Sequence, residues 1–122
     1  MKKLKISITL DIICESGVML GHFVKEALKH GIANIEGLVG VPGTVGGALI
    51  MNAGAYNHEI STLFKSASVF TKNGQIKTYK KKDILFSYRY STFPKDEILL
   101  EAKFKGKKGE KIKNFNNVRH HL

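Results

Sequence analysis

The sequence predicts an α+β fold, a mostly antiparallel sheet carrying one amphipathic helix and one short glycine-rich helix. Three observations predict it. Apolar residues recur at three- and four-residue spacing from Val18 to His30, and side chains alternate on either side of an Asn73-Gly74 turn. The third is the run from Gly37 to Tyr56, which sets six glycines among aliphatic residues that favour burial. At 122 residues, 43% hydrophobic and 25% charged, the chain can bury one modest core and is not disordered throughout. No window approaches the roughly 18 apolar residues of a membrane span.

Taken in order, Lys5 to Cys14 reads as a strand with Ile6, Ile8 and Leu10 on one face, ended by Gly17. The basic start before this apolar patch has the look of a secretory signal, but Lys5, Ser7, Thr9 and Asp11 interrupt it, so a cytoplasmic chain is expected. The helix follows from Val18 to His30, with Lys25, Glu26 and Lys29 outward and Gly31 as its C-terminal cap. Pro42 opens a glycine-rich turn, and Thr44 to Met51 suits a short helix started by Gly43 or Thr44. Phe64 to Thr71 and Gln75 to Tyr79 form the hairpin, with Phe64, Ser66, Ser68 and Phe70 on one face and Lys65, Ala67, Val69 and Thr71 on the other. Lys80 to Leu85 reads as one helical turn and Ile98 to Phe104 as a strand. Beyond Gly106 few apolar anchors remain, and residues 106–122 are expected to fray.

The net charge of +10 raises the possibility of nucleic-acid binding, yet the lysines gather near the ends and Gly31 to Asn57 holds no Lys or Arg. The densest basic run, Lys103 to Lys113, interleaves only Phe104 as a stacking platform, which favours a solvated face. Cys14 is the single cysteine, excluding an internal disulfide, and reads as a small buried side chain. No metal site is expected: His120 and His121 are adjacent, so they point to different faces of a terminal segment.

Three motifs carry chemistry. Gly40 to Ala48, GVPGTVGGA, is neither a dinucleotide fingerprint nor a Walker loop; it suits a pyrophosphate, a ring edge or a purely structural tight turn. In MNAGAY, Met51 to Tyr56, Asn52 offers a donor and an acceptor beside small residues, for a heteroaromatic edge, a ribose, or a capped turn. In SYRYS, Ser87 to Ser91, Arg89 is the only arginine before Arg119 in a chain that otherwise uses lysine. Arginine suits planar bidentate recognition of a carboxylate or phosphate, and a surface ion pair is the plainer alternative.

Together these motifs resemble the UDP-N-acetylenolpyruvoylglucosamine reductase family, flavoenzymes of peptidoglycan synthesis. The family carries G-[IV]-P-G-T-V-G-G-A running into M-N-A-G-A-Y and, some thirty residues later, Y-R-x-S; IEGLVG from Ile35 and ESGV from Glu15 also fit. The resemblance implies half of a vanillyl-alcohol-oxidase-type FAD-binding domain, with NADPH reducing FAD and hydride passing to the enolpyruvyl double bond of a UDP-sugar. It implies that Val41, Pro42, Gly46, Gly47, Ile50, Met51, Asn52 and Gly54 line the flavin, with Leu99 or its neighbours touching it from the later strand. It further implies that Arg89 binds the substrate carboxylate and offsets charge developing in the transition state. Tyr56 and Tyr88 are further substrate-contact candidates.

Family members are more than twice as long, with a first FAD subdomain before this region and a substrate domain after it. The proton-donating serine and assisting glutamate lie in that later domain, and Ser91 matches the serine of Y-R-x-S instead. The expectation is therefore a second FAD-binding subdomain over residues 1–105, inactive alone. Its partners would be the UDP-sugar and the missing subdomains as separate chains, with neither membrane nor nucleic acid. A non-catalytic FAD or nucleotide-binding module needing a partner chain is the alternative, and a basic nucleic-acid-binding protein a lesser one.

Overall fold

The computed structural model describes residues 3–55 and 58–109. Five strands form one antiparallel sheet in the order β1 (Leu4–Ile6), β2 (Asp11–Glu15), β7 (Ile98–Lys105), β3 (Phe64–Phe70), β4 (Ile76–Lys80), and β5 (Phe86–Ser87) and β6 (Tyr90–Ser91) form a separate two-stranded hairpin. The α+β class is as expected. Helix α1 (Leu20–Lys29) and the shorter α2 (Val45–Ile50) contribute Leu20, Phe23, Val24, Ala27, Val45, Ala48 and Leu49 to the core.

The expected first strand is instead a hairpin of β1 (Leu4–Ile6) and β2 (Asp11–Glu15), with Leu4 opposite Cys14 and Ile6 opposite Ile12. Its polar residues bond to one another rather than lining the solvent face of a strand. Asp11 N–H donates to Ser7 Oγ at 3.0 Å, Thr9 Oγ1 donates to Asp11 Oδ2 at 2.7 Å, and Ser7 N–H donates to Asp11 O at 2.9 Å. Such local bonds compete with strand pairing and reverse the chain. Ile8, assigned to the apolar face, is 99% exposed at the tip of the turn. The Thr9 hydroxyl, then the Lys105 ammonium, hold the Asp11 carboxyl below its ordinary pKa.

Strand β2 pairs with β7 (Ile98–Lys105), and β7 with β3 (Phe64–Phe70), which turns through Gly74 (φ +79°) into β4 (Ile76–Lys80). The inner face stacks Ile12 opposite Phe104 and Cys14 opposite Ala102, with Phe64 and Ala67 beyond them. Burial pushes the Cys14 thiol up to about 12, so it stays protonated. One alternation was misread. A register shift between Phe64 and Ser66 places Phe64 in the core with Ala67 and Val69, while Phe70 is left 41% exposed. A bulge adds one residue to one strand and reverses the phase of every side chain beyond it.

Helix α1 starts two residues later than expected, with Met19 in extended backbone before it, and ends as expected at Gly31, in the left-handed region at φ +74°. Gly31 N–H donates to Leu28 O and Ile32 N–H to Ala27 O, the paired bonds of a Schellman cap. The chain stays bonded past the boundary expected at residue 105. Ala33 N–H donates to Lys107 O at 2.7 Å and Gly109 N–H to Gly31 O at 2.8 Å, with Gly106 packed on Ile32. Residues 110–122, with Arg119, His120 and His121, lie outside the described residues.

Candidate functional site

The glycine-rich turn is tied to the start of α1, where Leu20 N–H donates to Gly43 O at 2.8 Å. Gly40 (φ +79°) and Gly43 (φ +106°) take left-handed backbone, and a Cβ on either would meet nothing within 4 Å. Thr44 caps α2 from extended backbone, its Oγ1 accepting from Gly47 N–H at 3.2 Å.

The leading N–H groups of α2 are all spent on the protein. Val45 N–H donates to Val18 O at 2.8 Å, Gly46 N–H to Ser16 O at 3.0 Å, and Ala48 N–H to Thr44 O at 2.9 Å, alongside the Gly47 bond to Thr44. An anion at this helix start would find the first four N–H groups of α2 already bonded, which favours the ring-edge or tight-turn reading over the pyrophosphate. Gly46 is glycine for packing. A Cβ on it would lie 2.9 Å from Ser16 Cβ and 3.5 Å from Leu99 Cδ2.

A bare apolar face remains. Gly47, Ile50 and Met51 sit at three- and four-residue spacing on one side of α2, with Ile50 46% and Met51 55% exposed. Exposed Pro42 and Gly43 precede them, and exposed Met19 bridges to Thr44. No Lys or Arg falls between residues 31 and 57. Such a surface fits a flat uncharged ring, which needs close approach and apolar contact, better than it fits a phosphate.

The expected ligand-lining residues thus divide. Pro42, Gly47, Ile50 and Met51 reach the open face, and Val41 is half-buried. Gly46, Asn52 and Leu99 are buried, and Leu99 supports α2 from below instead of touching a ligand on this face. At Gly54 (φ +136°) a Cβ would lie 2.6 Å from Glu59 Cα and His58 O, so this glycine serves the folding of its own loop. Tyr56 lies outside the described residues. Met19 was missed, since sequence reasoning saw it only as a residue at the start of an amphipathic helix.

The C-terminal end of α2 carries the second half of the site. Asn52 sits in left-handed backbone (φ +46°), donating its N–H to Leu49 O, and Ala53 N–H donates to Ala48 O, again a Schellman pair. Its side chain is committed as well. Nδ2 donates to Ser87 O at 3.0 Å, and Oδ1 accepts from Ser61 N–H at 3.3 Å. The carboxamide is thus buried with both its ends bonded inside the protein, which favours the capped-turn alternative over direct reading of a ring edge.

Ser87 belongs to a hairpin that sequence reasoning did not foresee, β5 (Phe86–Ser87) with β6 (Tyr90–Ser91). Ser91 Oγ donates to Ile50 O at 2.6 Å, satisfying a carbonyl at the end of α2. Phe86 anchors the base, edge-on to Phe64 (5.5 Å) and Phe93 (6.1 Å). Tyr88 and Arg89 form the exposed turn, Arg89 in left-handed backbone at φ +51°. Arg89 Nε donates to Tyr88 Oη at 3.1 Å, and this bond, with the phenol's charge interaction, raises the guanidinium pKa. Among the described residues no carboxylate pairs with Arg89; its side-chain partner there is Tyr88.

In the run that begins at Lys103, Phe104 is fully buried and offers no stacking platform. A separate cavity of about 400 Å³, lined by residues including Asn34, Leu63, Lys65 and Lys107, shares no lining residue with the bare face. Among the described residues no group of three or more His, Cys, Asp or Glu could hold a metal, and no helix is long and apolar enough to cross a membrane.

The fold and this face define a flavin-binding class of protein: residues 1–80 match the FAD binding domain family, and the chain belongs to it. Within that class it is similar to UDP-N-acetylenolpyruvoylglucosamine reductases. It is 44% identical over 96 residues to that of Streptococcus pyogenes serotype M5, covering 78% of this chain and 32% of the relative. It is 41% identical over 115 residues to that of Streptococcus thermophilus, covering 92% and 38%. A crystal structure of the UDP-N-acetylenolpyruvylglucosamine reductase of Thermus caldophilus superposes with a TM-score of 0.82 at 28% identity, covering 95% of this chain and 42% of that one. The chain thus spans about a third of the length of the curated relatives it matches.

Proposed function

We propose that residues 1–105 act as the second FAD-binding subdomain of a cytoplasmic, NADPH-dependent flavoenzyme that reduces UDP-N-acetylglucosamine enolpyruvate to UDP-N-acetylmuramate in peptidoglycan synthesis. The observation that carries this reading is one helix with a bare apolar face and, fastened to its C-terminal end, an arginine that pairs with no carboxylate among the described residues. Pro42, Gly47, Ile50 and Met51 would meet the flavin ring, with Val41, Gly46, Asn52, Gly54 and Leu99 shaping that surface from behind. When bound, the flavin supplies the hydride.

Arg89 would take the enolpyruvyl carboxylate in a bidentate pair and offset the negative charge that grows there as the double bond is reduced. Tyr88 holds the guanidinium edge through Nε, leaving the two terminal nitrogens for the substrate. Tyr56 and Tyr88 are the further substrate contacts in this reading. The α2 N–H groups are spent, so the cofactor's pyrophosphate would rest on another subdomain.

FAD titration of the purified chain tests the proposal. Saturable quenching of flavin emission, or a yellow protein on isolation, supports it, whereas a colourless chain indifferent to FAD contradicts it.

A further inference from the structure

Asn52 and Ser91 are the buried polar side chains among the described residues, 4% and 7% exposed, and both spend their polar atoms on the same junction. Each reaches far along the chain. Asn52 Nδ2 donates to Ser87 O across 35 residues, and Ser91 Oγ donates to Ile50 O across 41. Ser87 and Ser91 lie on opposite strands of the hairpin whose turn presents Arg89. One clasp therefore holds each strand, and both close on the last residues of α2.

A cap alone does not explain Asn52. Helix α1 ends in the same Schellman arrangement with Gly31 at the left-handed position, where glycine costs nothing sterically. At α2 the same backbone conformation is taken by a residue whose side chain grips the hairpin. Ser91, in turn, meets the Ile50 carbonyl, which cannot find an intrahelical donor at a helix end.

We propose that Asn52 and Ser91 are positioning residues: they lock the Arg89 hairpin onto the C-terminal end of α2 and so set the guanidinium against the ring-facing surface. The positional consequence rests on the proposed roles of Arg89 and the α2 face. The clasp itself does not, and it can be tested without any ligand.

The test uses Asn52→Gly, which keeps the left-handed backbone but deletes the carboxamide, Ser91→Ala, which deletes the hydroxyl, and Ser91→Thr, which restores it. Amide hydrogen exchange is read at Leu85 and Thr92 in the hairpin base and at Ala67, Val69 and Ala102 in the sheet, beside the side-chain Nε–H resonance of Arg89. The chain has only two arginines, so that resonance is readily assigned. Each deletion should speed exchange in the hairpin by about tenfold, the value of one net hydrogen bond. The sheet amides should stay unchanged, the Arg89 Nε–H signal should move toward that of free arginine, and Ser91→Thr should return it. Equal acceleration in hairpin and sheet, or an unchanged Arg89 signal over an intact sheet, would overturn the proposal. Failure of FAD to bind would overturn the functional reading and leave this result standing.

Discussion

Helices α1 and α2 end in the same backbone cap and bury residues in the same core, yet they are built for different ends. Helix α1 is ten residues long and buries Leu20, Phe23, Val24 and Ala27, with its charged residues turned to solvent. Helix α2 is six residues long, begins Val45-Gly46-Gly47, and leaves Gly47, Ile50 and Met51 uncovered. Two adjacent glycines weaken a helix by about 1 kcal/mol each relative to alanine. The contrast teaches that α2 is held in place from outside, by the Ser16 and Val18 carbonyls at its start and by Asn52 and Ser91 at its end. Helix α1 supplies stability; α2 supplies a surface.

Three substitutions would break or sharpen that contrast. Phe23→Ala should cost the most, about 3–5 kcal/mol of stability by denaturant unfolding, since Phe23 is fully buried edge-on to Phe104 at 5.2 Å. Gly46→Ala should cost about 1–3 kcal/mol, because the new Cβ would press on Ser16 Cβ at 2.9 Å and its carbonyl oxygen at 3.2 Å. Gly47→Ala should do the reverse. Its Cβ meets only Thr44 Oγ1, at 3.4 Å, so helix propensity should raise stability by about 0.5–1 kcal/mol while the added methyl weakens FAD binding. A Gly47→Ala protein that is both more stable and unchanged in FAD affinity would remove α2 from the ring-facing surface.

Much of this was legible in the sequence, and the gaps have physical causes. The α1 periodicity, the Gly31 cap, the Thr44 start of α2 and the Asn73-Gly74 turn are local signals, and all appear where expected. The β1–β2 hairpin was missed because Ser7, Thr9 and Asp11 look like one face of a strand until their mutual bonds are seen. Phe64 was placed on the wrong face because its bulge depends on β7, some forty residues later. In the site, the motifs marked candidate residues but not which way they face. Gly46 and Gly47 are neighbours, and only three-dimensional packing assigns one to Ser16 and the other to solvent.

The most direct measurement sets the two ends of the cofactor against each other, mapping amide shifts of the chain with riboflavin and separately with inorganic pyrophosphate. Riboflavin should move the amides of Gly43, Gly47, Ile50 and Met51, and pyrophosphate should leave Val45 and Gly46 where they stand, because their N–H groups already bond Val18 O and Ser16 O. Shifts at Val45 and Gly46 with pyrophosphate, and none on the bare face with riboflavin, would contradict the assignment of that face to the ring.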